Sequence, residues 1–189
     1  MTDDAPVFRS TYRAPASAHH EQPAPNRALS ATILVVLIVI ALGVGFLGSL
    51  ATQEHVDGWY ENADKPAWTP PGVVFGPVWS VLYVSMAVAA WLVWRRRDEA
   101  NVRPALTGYV VQLAINSIWS PVFFALYPTF GVGALWWAFG IIIALIVAVV
   151  YTMAAFWSVE RWAGILLIPY LAWLLYASTL NAGVAVLQS

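Results

Sequence analysis

The chain has no cysteine in its 189 residues, which excludes disulfides, thiol nucleophiles and thiolate metal centres. Charge is scarce too. Asp, Glu, Lys and Arg make up 10% of the sequence, where an ordinary soluble domain carries about 25%. A formal net charge of −1 gives no basic face of the kind a nucleic-acid partner needs. No Asp, Glu, Lys, Arg or His lies inside any of the long apolar runs. Paired carboxylates, nucleophile–base pairs and histidine ligand sets are therefore missing at membrane depth, and so are the ionisable relays on which ion-coupled pumps depend. No 20–50-residue period repeats, and no inverted halves stand out.

What is present is apolar: 60% of the residues are hydrophobic, too many for a water-facing globule of this size. Residues 1–28 form a polar tail rich in Pro, Ala and charge, expected to be disordered because it cannot bury enough surface to offset its ordering entropy. Asp3 and Asp4 stand where a secretory signal would be basic. Residues 29–189 make one membrane domain. Its apolar runs, Leu29–Leu50, Gly72–Trp94, Pro104–Tyr127, Phe130–Trp157 and Trp162–Leu187, each approach the ~20 residues that cross a ~30 Å hydrocarbon core. The fold class is thus an all-α bundle of five transmembrane helices, with a tight antiparallel hairpin between runs three and four. Arg9, Arg13, Arg27, Arg95, Arg96, Arg97, Arg103 and Arg161 all fall on one side, and Lys65 stands alone on the other. The positive-inside rule then puts the N-terminus in the cytoplasm.

Eleven tryptophans call for an explanation. Trp91, Trp94, Trp136, Trp137, Trp157 and Trp162 lie near run ends, where amphipathic rings collect at the interface. Trp79, Trp119 and Trp173 lie deeper, about 12 Å, 12 Å and 20 Å from the outer ends at 1.5 Å per residue. A buried indole N–H needs a partner. Gln112, Asn116 and Trp119 are spaced i, i+4, i+7 and share one helical face, and Tyr176 and Asn181 add polar groups on run five. Two readings stand side by side: interhelical bonds of about 0.6–2 kcal/mol each, or the aromatic walls and orienting groups of a cavity for a flat apolar ligand. The first loop, Trp59-Tyr60 through Lys65-Pro66-Ala67-Trp68-Thr69-Pro70-Pro71, favours the cavity. Three prolines stiffen it, and a stiff aromatic loop reads as a lid.

These strings, with Val78-Trp79, Leu82-Tyr83, Gln112-Leu113, Asn116, Trp119-Ser120, Phe123-Phe124, Pro169-Tyr170-Leu171-Ala172-Trp173 and Leu180-Asn181, resemble the TspO/translocator-protein family of tryptophan-rich sensory proteins. The resemblance covers about residues 30–187. It implies a five-helix bundle, often a homodimer, that binds porphyrins or haem and similar hydrophobic ligands and requires no cofactor. By position it implies a pocket of Tyr60, Trp79, Tyr83, Asn116, Trp119, Trp173 and Ala177, capped by Trp59, Lys65, Pro66, Trp68, Pro70 and Pro71. Trp79 and Trp173 match the pair linked in the family to light-dependent porphyrin breakdown. Facilitated transport of tetrapyrroles is the alternative the resemblance leaves open. The Tyr-basic sterol element of animal members has no counterpart in Ala182–Ser189. Four-residue spacing of small residues (Ala41, Gly45, Ser49; Gly140, Ala144, Ala148) is compatible with a dimer interface or with packing inside one chain.

Overall fold

The computed structural model describes residues 27–189, so the tail lies outside the described residues except for Arg27 and Ala28, which already belong to the first helix. The helices are α1 (Arg27–His55), α2 (Phe75–Trp94), α3 (Arg103–Ser120), α4 (Tyr127–Phe130), α5 (Val132–Val159), α6 (Arg161–Leu166) and α7 (Ile168–Leu187). With their short extensions they provide five spans long and apolar enough to cross a membrane: Arg27–Tyr60, Gly72–Trp94, Arg103–Ala125, Val132–Val159 and Arg161–Leu187. Helices suit that setting because every backbone polar group is satisfied within the segment.

α1 packs on α2, α3 on α5, and α5 on both α6 and α7. α2 buries one whole face: Leu82, Tyr83, Met86, Ala87, Ala89, Ala90 and Val93 are all enclosed. Its alanines let neighbouring backbones approach closely. α1 buries only Ala41 and Thr52, and its Val35, Val39, Phe46 and Leu47 are exposed, as lipid-facing residues should be. Gly45 meets the Tyr83 ring so closely that an added Cβ would collide with it. Ala41 and Gly45 of the small-residue face of α1 are thus packed inside the chain, and Ser49 is exposed.

Two spans are interrupted at prolines. Pro121 opens a wide helical turn over Pro121–Ala125, since proline brings no N–H and crowds the carbonyl four residues back. The two-residue hairpin expected after it is instead this turn plus α4, closed by Gly131 at φ 55°, ψ −141°, a conformation costly for any side-chain-bearing residue. Pro169 has the same effect on the last span, which breaks into α6 and α7 at Leu167. Ser85 Oγ on α2 donates to the Leu166 carbonyl at 2.8 Å, satisfying a group exposed by the break. At the arginine end Arg96 bridges Glu160 and Glu99, each at 2.9 Å. This joins the α2–α3 loop to the α5–α6 corner.

Candidate ligand-binding site

Asn116 is the hub. It is 6% exposed, and its Oδ1 accepts from Tyr83 Oη at 2.7 Å while its Nδ2 donates to Tyr170 Oη at 2.8 Å. One amide thus ties α3 to α2 and α7. Trp79 lies over the pair, its ring 5.5 Å from Tyr83 and 6.2 Å from Tyr170. One turn nearer the first loop, Trp119 Nε1 donates to Asn181 Oδ1 at 3.1 Å, and Asn181 Nδ2 donates to the Leu135 carbonyl at 2.9 Å. Gln112 continues the same face of α3 and is 1% exposed; its Nε2 reaches only the sulfur of Met86, at 3.6 Å. Tyr170, fully buried, and Asn181 carry as much of the network as the expected residues. An amide with an acceptor and a donor end needs two partners, and that was the one available signal that further hydroxyls had to be nearby.

Trp173 is different. Its ring packs against Phe75 at 5.7 Å and Tyr176 at 5.5 Å, yet its buried Nε1 has no hydrogen-bond partner. It lines a groove of about 620 Å³ between α2 and α7, walled by Pro77, Val78, Val81, Leu82, Pro169, Ala172 and Tyr176. This groove opens sideways between the two spans. Ala177, 6% exposed, lies one turn further along α7.

The first loop is docked at both ends. Trp59 stacks on Tyr127 with centroids 3.8 Å apart and donates its Nε1 to the Phe124 carbonyl at 2.8 Å. Tyr60 meets Phe123 and Phe124 edge-on, and Lys65 Nζ sits 4.9 Å from the Tyr60 ring centre. The loop then crosses to α7. Pro66 packs on Gly183, where a Cβ would clash with its ring. Trp68 Nε1 donates to Thr179 Oγ1 at 3.3 Å, and its carbonyl accepts from Tyr176 Oη at 2.7 Å. Pro71 accepts from Val74 and starts the short turn that leads into α2; Pro70 precedes it. The seven expected pocket residues therefore fall into three adjoining groups: Trp79, Tyr83 and Asn116; Tyr60 and Trp119 beneath the lid; Trp173 and Ala177 on α7.

Among the described residues no group of three His, Cys, Asp or Glu could hold a metal. The fold and these residues define a helical integral membrane protein with an aromatic and amide-lined interior. The chain belongs to the TspO/MBR family, whose model matches residues 35–187. It is 36% identical over 157 residues to the tryptophan-rich protein TspO of Archaeoglobus fulgidus, covering 82% of this chain and 97% of that one. It is 38% identical over 125 residues to the tryptophan-rich sensory protein of Cereibacter sphaeroides, covering 66% and 73%. The human translocator protein matches at 38% identity over 139 residues, 72% of this chain and 78% of the relative.

Proposed function

We propose that the protein is a membrane receptor or sensor for porphyrins and similarly flat, hydrophobic molecules, held among Trp79, Tyr83, Asn116, Trp119, Trp173 and Ala177 below the first loop. The observation that carries this reading is the Trp173 indole N–H, buried without an acceptor beside an apolar groove. A buried unpaired donor costs about 1–3 kcal/mol, and a ligand carbonyl or carboxylate at the ring edge would recover it. The flanking aromatics offer π faces to a flat ring, and the amides supply orientation. Of the names given to relatives, the sensory protein supports this reading and the translocator protein supports the alternative of facilitated transport. The arginine end, with Arg95, Arg96, Arg97 and Arg161, is assigned to the cytoplasmic side by its excess of positive charge.

The test compares two substitutions of equal size. Protoporphyrin IX is titrated against the quenching of intrinsic fluorescence in the purified protein. Trp173→Phe is expected to weaken binding about five- to tenfold, the equivalent of one hydrogen bond, with only the packing cost in the empty protein. Trp119→Phe, whose indole is already bonded to Asn181, should lose more thermal stability and less affinity. Equal porphyrin affinity in wild type and Trp173→Phe would refute the assignment.

A further inference from the structure

A second groove, about 640 Å³, runs between α3 and α5 and is unrelated to the aromatic site. Arg103 and Thr107 stand at its mouth, one helical turn apart on the same face. Below them it is lined by Gly108, Ala144 and Ala148, with Tyr151 as a wall. It stays open because its small residues project nothing beyond Cβ, while Val111, Val147 and Tyr151 are 46–64% exposed along its sides. From Arg103, the first residue of α3, to Val111 the helix rises about 12 Å. The groove therefore runs from the membrane interface to just short of the middle of a ~30 Å core, the depth of one leaflet.

Charge separates this mouth from its surroundings. Arg96 is engaged by Glu99 and Glu160, and Arg97 by Asp98. Arg95 and Arg161 form no salt bridge but lie over the Trp91 and Trp162 rings, whereas among the described residues Arg103 forms neither a salt bridge nor a cation–π contact. An unneutralised guanidinium at the head of an apolar channel matches an anionic head group with a hydrocarbon tail. Its planar fork suits phosphate oxygens, and Thr107 adds a hydroxyl one turn deeper. We propose that this groove binds one anionic glycerophospholipid, with its phosphate on Arg103 and one acyl chain lying between α3 and α5. A second copy of the chain fits less well despite the small residues, because two-fold pairing through this face would set two like-charged Arg103 side chains side by side.

Native mass spectrometry of the full chain, released from detergent with added palmitoyl-oleoyl-phosphatidylglycerol or -phosphatidylcholine, tests this. The wild type should keep one phosphatidylglycerol, at least about fivefold over phosphatidylcholine, a ratio of about 1 kcal/mol. Arg103→Gln should remove the preference. Ala144→Leu, at an exposed position, fills the groove without touching charge and should remove retention of either lipid, with helicity and unfolding temperature unchanged in both variants. Equal retention of the two lipids by the wild type overturns the proposal. Full retention in Ala144→Leu would reduce it to head-group attraction and overturn the groove. A wild-type dimer that Ala144→Leu turns into a monomer would hand this face to a second copy and overturn it as well.

Discussion

Asn116 and Trp173 show how differently two buried polar groups can be used. Asn116 has both ends of its amide engaged, whereas the Trp173 N–H has nothing to donate to. Asn116→Leu removes the partner of two buried tyrosine hydroxyls at once, each worth about 1–3 kcal/mol when stranded, so thermal unfolding in detergent should show a loss of at least ~2 kcal/mol. Tyr83→Phe gives up one bond and keeps the ring, and should lose only about 0.5–1.5 kcal/mol. If the two variants melt alike, the amide is not the hub. The sequence made half of this visible. Spacing along α3 put Gln112, Asn116 and Trp119 on one face, and the structure buries the first two and half-buries the third. Spacing within one helix does not report which side of another turns toward it. Tyr170, 54 residues away, therefore became part of the site only when α7 was seen packed in place.

Helices, the next scale up, were legible where length and polarity decide and illegible where proline does local work. Five apolar runs became five spans because crossing hydrocarbon leaves no other way to satisfy the backbone. The interruptions at Pro121 and Pro169 depended on what neighbours could offer the freed carbonyls, such as Ser85 at Leu166. The α5–α6 corner adds an electrostatic device: Glu160 accepts from the Trp162 backbone N–H at 3.4 Å at the start of α6 and pairs with Arg96. The Arg96 hydrogen bond holds the Glu160 carboxyl below its usual value near 4.5, partial desolvation opposing and the Trp162 N–H assisting. Folding therefore favours the deprotonated form, and the contribution is complete above pH ~4.5 and fades as pH falls through the lower, folded-state value. The gap in unfolding temperature between wild type and Glu160→Gln should be steady near neutrality and close in acid. It should also shrink with salt, because Arg96 is 46% exposed and such pairs are screened. A gap that widens in acid would contradict this linkage.

At the scale of the whole molecule, the proposed ligand has two candidate routes to its site, the first loop and the α2–α7 groove at Trp173. The loop is fastened to α7 by Pro66 on Gly183 and by Trp68 with Thr179 and Tyr176. Opening it means breaking those contacts together with the Trp59 stack on Tyr127. The groove needs no such rearrangement: it already opens sideways at Trp173, and a hydrophobic ligand dissolved in the bilayer meets it by lateral diffusion. Gly183→Val displaces Pro66 and loosens the loop, which hydrogen exchange over residues 61–71 would register as faster opening. Val81→Trp, at a 67% exposed position on the groove wall, obstructs the sideways route and leaves the loop docked. If ligand arrives between the helices, Val81→Trp should slow porphyrin association from preloaded vesicles about tenfold, and Gly183→Val should leave that rate within about twofold of wild type. Both variants should fold, since one adds bulk to an exposed site and the other acts at the rim of the bundle. The reverse pattern, fast association in Gly183→Val and an unchanged rate in Val81→Trp, would make the first loop the door and the groove a passive lipid contact.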